Sequence, residues 1–202
     1  MRFIISKYLN QIKLNFMKKI FKFFTIFNII LCFMNESIAQ NKKIDNPENI
    51  LYIDLKAGRV VIELLPNIAP NHVNRIKTLA RQKFYDGIFF HRVIDGFMAQ
   101  TGDPTGTGMG GSKLPDLRAE FSDEPHIRGA LSMARASDPN SANSQFFIVT
   151  KDSRFLDNQY TVFGRVIKGM EFVDKIKKGD GANGKVSNPD AMLKVRVASD
   201  EK

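Results

Sequence analysis

Between residues 50 and 198 the chain is written in short runs whose apolar residues recur at every second position. Successive side chains of a β-strand point to opposite faces, so this period demands strands with a buried side. Leu51, Ile53 and Leu55 alternate with polar or amphipathic neighbours. After a turn at Gly58, Val60, Ile62 and Leu64 alternate with Arg59, Val61 and Glu63, which predicts a β-hairpin with one buried face. Further strands are expected over residues 88–94, 97–102, 130–134, 146–150, 161–166 and 192–198. Helical spacing is confined to two stretches. Pro70 opens the first, where Val73, Ile76, Leu79 and Ala80 share a face and the Tyr85-Asp86-Gly87 turn sets an end near Phe84. The second, residues 170–176, is expected to bury Phe172, Val173 and Ile176. About eight short strands and two helices without a βαβ rhythm predict a mostly β protein with an antiparallel sheet, a kind that commonly closes into a barrel and so loses its exposed edges. Residues 103–129, rich in Gly and Pro, are too long for a simple connection and are expected to line a site.

The first 39 residues have a different character. Lys18, Lys19 and Lys22 precede an apolar stretch over residues 23–34, and Ser37-Ile38-Ala39 supplies small residues where a signal peptidase inspects them. This predicts an N-terminal extension with a cleavable secretory signal over residues 1–39, with Gln40 first in the mature chain. A spanning helix needs about 20 apolar residues, and Asn28 and Asn35 bracket a shorter run, so cleavage is favoured over anchoring. Leu31 is too bulky before Cys32 for a lipidation motif. Residues 40–49 read as a polar linker, and residues 50–199 as the folded domain. Membrane contact is then limited to the signal before cleavage, and the destination is the periplasm if the cell has two membranes.

The formal charge of +9 invites a polyanionic partner, but six basic residues and one acid lie in residues 1–39, leaving 24 basic and 20 acidic residues elsewhere. No dense basic stripe survives that subtraction, so no nucleic-acid partner is expected. Cys32 is the single cysteine, which excludes a disulfide framework, a cysteine nucleophile and a cysteine-ligated zinc from the mature chain. His72, His91 and His126 have no metal-ligand spacing, so no metal is expected; His91 reads as a structural residue, and Asp138 and Asp157 as turn residues. The Gly-rich run 102–111 lacks the Gly-Lys-Ser/Thr ending of a phosphate loop, which removes nucleotide binding.

The run Phe90-His91-Arg92-Val93-Ile94-Asp95-Gly96-Phe97-Met98-Ala99-Gln100-Thr101-Gly102-Asp103 resembles the signature of the cyclophilin family. Leu131-Ser132-Met133-Ala134, Asn143-Ser144-Gln145-Phe146-Phe147-Ile148 and Phe155-Leu156-Asp157 followed by Tyr160-Thr161-Val162-Phe163-Gly164 agree in order and spacing. The resemblance spans residues 50–198. It implies a closed eight-stranded antiparallel barrel capped by two α-helices, and peptidyl-prolyl cis–trans isomerase activity, a reaction that needs no cofactor. Its substrates would be proline-containing segments of unfolded or folding proteins, met by a monomer. By resemblance, Arg92 and Gln100 are catalytic, and Phe97, Met98, Ala134, Arg135, Gln145, Phe147, Phe155, Leu156 and Tyr160 bind substrate. A cyclophilin-fold peptide-binding chaperone with little turnover is the alternative, and the intact Arg92, Gln100 and Phe147 set argues against it.

Three positions depart from the family pattern. Arg135 stands where many cyclophilins carry Asn, which is expected to change the charge felt by residues preceding the proline. Tyr160 replaces a frequent His and Phe155 a frequent Trp, both as in bacterial members. Loss of the indole N–H implies weak inhibition by cyclosporin.

Overall fold

The computed structural model describes residues 46–201. The expected signal and its cleavage point, and residues 40–45 of the linker, lie outside the described residues. Eight strands follow the predicted order: β1 (Ile50–Leu55), β2 (Gly58–Leu64), β3 (Arg92–Ile94), β4 (Met98–Thr101), β5 (Ala130–Met133), β6 (Phe146–Val149), β7 (Val162–Lys168) and β8 (Lys194–Val197). They form one antiparallel sheet in the order β3-β4-β6-β5-β7-β2-β1-β8. The two ends of this order meet through the segments just ahead of β3 and β8. Phe89 bridges Ala191, the Phe90 N–H donates to the Asp190 carbonyl at 2.9 Å, and the Met192 N–H donates to the Ile88 carbonyl at 2.9 Å. The run expected as one strand over residues 88–94 therefore serves two ladders, with its first part closing the seam and its last part pairing with β4.

Helix α1 (Pro70–Arg81) and the short helix α2 (Met170–Val173) are the two expected helices. Val73, Ile76, Leu79 and Ala80 of α1 are buried together, as their spacing requires. Ala69, the residue before α1, has no side chain that could cap the helix. The free N–H groups go instead to Glu120, whose carboxylate accepts from the Asn71 and His72 N–H groups at 3.2 and 3.1 Å, and from His72 Nδ1 at 2.6 Å. The helix stops at Arg81, short of the expected Phe84, because Lys83 adopts φ 56°. The Lys83 and Phe84 N–H groups then donate to the Ala80 and Leu79 carbonyls, both at 3.0 Å, which is the Schellman termination. The second helix gives way to a turn after Val173, yet Ile176 is buried as expected.

Glu48, in a 3₁₀ turn over Pro47–Asn49, binds the body through Lys77, Arg81 and Ser199 at 2.8–2.9 Å, so residues 46–49 belong to the folded unit. Strand β6 is buried at every position. Phe146 and Ile148 face the main core, while Phe147 and Val149 face a second apolar cluster outside the barrel wall. That second cluster is the floor of the site.

Candidate active site

Cross-strand register brings the expected residues together. Arg92 lies opposite Gln100, Gln100 opposite Phe147, and Phe147 opposite Ser132, so one row crosses β3, β4, β6 and β5. Alternation puts Val93, Ala99, Phe146 and Leu131 into the core and leaves the row on the outer face. Beside the row Met98, Phe147, Val149, Leu156 and Val162 form a buried apolar floor, with Phe97, Ala134 and Tyr160 packed at its edge. Tyr160 meets Phe147 edge to face, with ring centroids 5.9 Å apart. Phe155 is 66% exposed and touches Phe97 at 5.4 Å, so it forms an outer lip rather than a wall. Ala134 donates its N–H to the Gln145 carbonyl at 3.0 Å, which ties this rim to the approach to β6.

The polar side of the site is a directed chain of hydrogen bonds. A guanidinium can only donate, so Gln100 must turn its oxygen toward Arg92, and Nη1 donates to Oε1 at 3.1 Å. That choice points the Gln100 amide nitrogen at Gln145, whose Oε1 accepts at 2.9 Å. Gln145 Nε2 in turn donates to the carbonyls of Gly108 and Gly110 at 3.0 and 2.8 Å. Arg92 at one end and main-chain carbonyls at the other leave each amide a single satisfactory orientation. On its other side Arg92 Nε donates to the Asn183 carbonyl at 2.9 Å. Both acceptors are neutral, so the guanidinium is oriented without being cancelled by a carboxylate.

Asn183 and the loop around it were not foreseen. This loop runs beside β3: the Gly179 N–H donates to the Val93 carbonyl at 2.9 Å and the Val93 N–H to the Gly184 carbonyl at 2.8 Å. Its glycine-rich sequence is a visible turn signal, but its partner Arg92 lies 91 residues away in the chain. His126 and Asp157 were also underestimated. His126 stacks on Phe147 with centroids 6.3 Å apart, its Nδ1 lies 3.0 Å from Asp157 Oδ1, and its Nε2 lies 2.9 Å from Ser132 Oγ. Burial pushes the His126 pKa down, against the pull of Asp157, so the ring is neutral. A carboxylate only accepts, which places the proton on Nδ1 and leaves Nε2 and the Thr161 carbonyl to share the one proton of the Ser132 hydroxyl. This Ser-His-Asp row is no hydrolytic site: Ser132 is fully buried, and its hydroxyl also faces the Thr161 carbonyl at 3.0 Å. It is a support under Phe147.

Asp103 organises the Gly-rich segment. Burial raises its pKa, but hydrogen bonds from Thr105, Gly110 and Gly108 outweigh this and bring it to about 2. His91 sits beneath Gly108, where an added Cβ would lie 3.6 Å from its ring, and burial holds it neutral. That is the structural role expected for it. Of residues 103–129, the Gly-rich start reaches the site and His126 backs Phe147, whereas Glu120 serves α1.

The sequence matches the family model for cyclophilin-type peptidyl-prolyl cis–trans isomerases over residues 50–197. A Brucella suis protein named "Probable peptidyl-prolyl cis-trans isomerase" is 51% identical over 176 residues, covering 81% of this chain and 90% of the relative. The crystal structure of a Hirschia baltica cyclophilin superposes with a TM-score of 0.70 at 31% identity, covering 78% of this chain and 76% of that one. A Cryptosporidium parvum cyclophilin-type isomerase, crystallised in the presence of the dipeptide Ala-Pro, gives 0.67 at 30% identity, covering 73% and 98%. The chain belongs to the cyclophilin family, and its activity is peptidyl-prolyl cis–trans isomerisation.

Proposed function

We propose that the chain isomerises X-Pro bonds in proteins that have left the cytoplasm, with Arg92 and Gln100 as its catalytic residues. The observation that carries the catalytic part is a guanidinium held from two sides, by Gln100 Oε1 and the Asn183 carbonyl, beside an apolar pocket floored by Phe147.

Rotation about a peptide bond faces a barrier of ~18–20 kcal/mol because the C–N bond has double-bond character. As the bond twists, the prolyl nitrogen regains a lone pair and becomes an acceptor. A donor fixed at that point stabilises the twisted amide and has little to offer the planar one, which is the condition for acceleration. Arg92 is that donor, and the two bonds to it leave Nη2 to face the substrate. An arginine also keeps its charge over the pH range in which proteins fold. The proline ring sits on Phe147, Met98 and Leu156, against Phe97 and Tyr160. Gln100 and Gln145 hold the peptide backbone, and the apolar floor removes water from the amide. A bond donated by a charged group contributes about 1.5–3 kcal/mol, so Arg92→Ala lowers kcat/KM by one to two orders of magnitude.

Export rests on the basic segment, the apolar stretch and the Ser37-Ile38-Ala39 site of the first 39 residues. The substrates are then proline-containing segments of exported proteins, for which the slow X-Pro step limits folding. The mature chain acts as a monomer in the periplasm of a two-membrane cell. The test is the cis-to-trans rate of an X-Pro peptide with the exported chain and its Arg92→Ala variant, with N-terminal sequencing of the product. Acceleration that collapses in the variant, from a chain beginning at Gln40, is the expected result. An unchanged rate in Arg92→Ala, or a retained N-terminus, overturns the corresponding half.

A further inference from the structure

Arg135 and Tyr160 each depart from the common family pattern, and the fold puts them in contact. The guanidinium Cζ of Arg135 lies 4.6 Å from the centre of the Tyr160 ring, over its face. Its N–H groups are directed at main-chain carbonyls. Nε and Nη2 donate to the Gln159 carbonyl at 3.2 and 3.0 Å, and Nη1 donates to the Ala136 and Ser137 carbonyls at 2.8 and 3.2 Å. One side chain thus joins two rim segments, 135–137 and 159–160, and presses on the ring that meets Phe147 edge to face at 5.9 Å.

We propose that Arg135 is a positioning residue that fixes Tyr160 as a wall of the proline pocket, with its N–H donors spent inside the rim rather than on the substrate. The proposal rests on the pocket over Phe147 being the proline site. The chemistry explains why the two departures occur together. A planar guanidinium supplies donors in several directions within one plane while its face stacks on an electron-rich ring. An asparagine at 135 is too short to span the two segments and stack as well. A histidine at 160, once protonated, would repel the guanidinium rather than attract it. The side chain expected to alter the charge felt ahead of the proline also has its donors turned toward its own backbone.

The test compares R135N, R135K, Y160A and R135N/Y160A in the full processed chain, using proline tetrapeptides with Glu, Ala or Lys before the proline. R135N raises KM about three- to tenfold, equally for the three peptides, with a smaller change in kcat. R135K keeps the charge without the planar fork and fails to restore KM; it carries the same reading should R135N not fold. In the Y160A background, R135N adds nothing further, because the ring it positions is gone. A wild-type KM in both R135N and R135K overturns the proposal. So do effects of R135N and Y160A that multiply, or an R135N variant that reorders the Glu, Ala and Lys peptides, since that is direct charge reading. Arg92→Ala, measured alongside, separates the two levels: a wild-type rate there removes the pocket assignment itself.

Discussion

Arg92 and Gln100 face one another across the β3–β4 ladder, and the 3.1 Å bond from Nη1 to Oε1 sets the orientation of every amide behind it. Gln100 is at once an acceptor for Arg92 and a donor to Gln145, which an amide does and a carboxylate cannot. The catalytic guanidinium is thereby linked to the carbonyls of Gly108 and Gly110.

Gln100→Glu separates these two duties. The carboxylate still accepts from Arg92, but it has no proton for Gln145 Oε1, and it neutralises the charge the twisted amide needs. The variant is expected to fold and to lose about tenfold or more in kcat, as read in a peptide isomerisation assay. A wild-type kcat would show that the Gln100–Gln145 link and the net charge at Arg92 are immaterial.

Gly184 tests the second anchor of Arg92. Its φ is 68°, and an added Cβ would fall 2.4 Å from Ile94 Cγ1 and 2.8 Å from the Val93 carbonyl oxygen. Gly184→Ala must move the loop and with it the Asn183 carbonyl, so kcat/KM is expected to fall about tenfold. Gly181 also has φ 68° but nothing within 4 Å of a Cβ. Gly181→Ala then costs only about 1 kcal/mol of stability, measured by urea unfolding, and leaves the rate near wild type.

His126 supports the proline pocket from below. His126→Ala removes the ring stacked on Phe147 and takes one hydrogen-bond partner each from the Asp157 carboxylate and the Ser132 hydroxyl. A loss of about 2–4 kcal/mol in unfolding free energy is expected, with a raised KM for proline peptides. Equal stability would mean that the Ser132-His126-Asp157 row contributes nothing.

Acid weakens the fold in two stages. Burial holds His72, His91 and His126 below the ordinary histidine value, so the unfolded chain takes protons first as pH falls through about 6.5. Their contribution is complete above that value and is lost below it. Glu120 is disfavoured as an anion by burial, yet the bonds from His72 and Asn71 outweigh this and keep its pKa below the usual range. Asp157 is drawn to about 2 when hydrogen bonds from His126 and Arg154 overcome its burial. Groups with depressed values stabilise above the unfolded pKa and lose that contribution as pH falls through the folded one. The urea midpoint is therefore expected to decline from pH 7 to 5, and again from about 4 to 2. His72→Gln should flatten the first decline, and a pH-independent midpoint between 7 and 5 would contradict neutral buried histidines.

The chain itself determined most of the architecture. Alternation at Leu51, Ile53, Val60 and Ile62 fixed which faces of β1 and β2 are buried, because a side-chain period of two leaves no other choice once one face must leave water. The Phe90–Asp103 run and its companion blocks indicated Arg92, Gln100 and Phe147, and local spacing placed them on strands. Their alignment in a single row was not readable, since it depends on register between strands far apart in sequence. Nor could local pattern show that Asn183 would supply a carbonyl to Arg92, that Glu120 would cap a helix begun by Ala69 and Pro70, or that Arg135 would turn back onto Tyr160. Local sequence dictates period and turn, because those act over a few bonds. Only tertiary structure decides which distant donor meets which buried acceptor, since that pairing is driven by the cost of leaving polar groups unpaired once the fold takes them out of water.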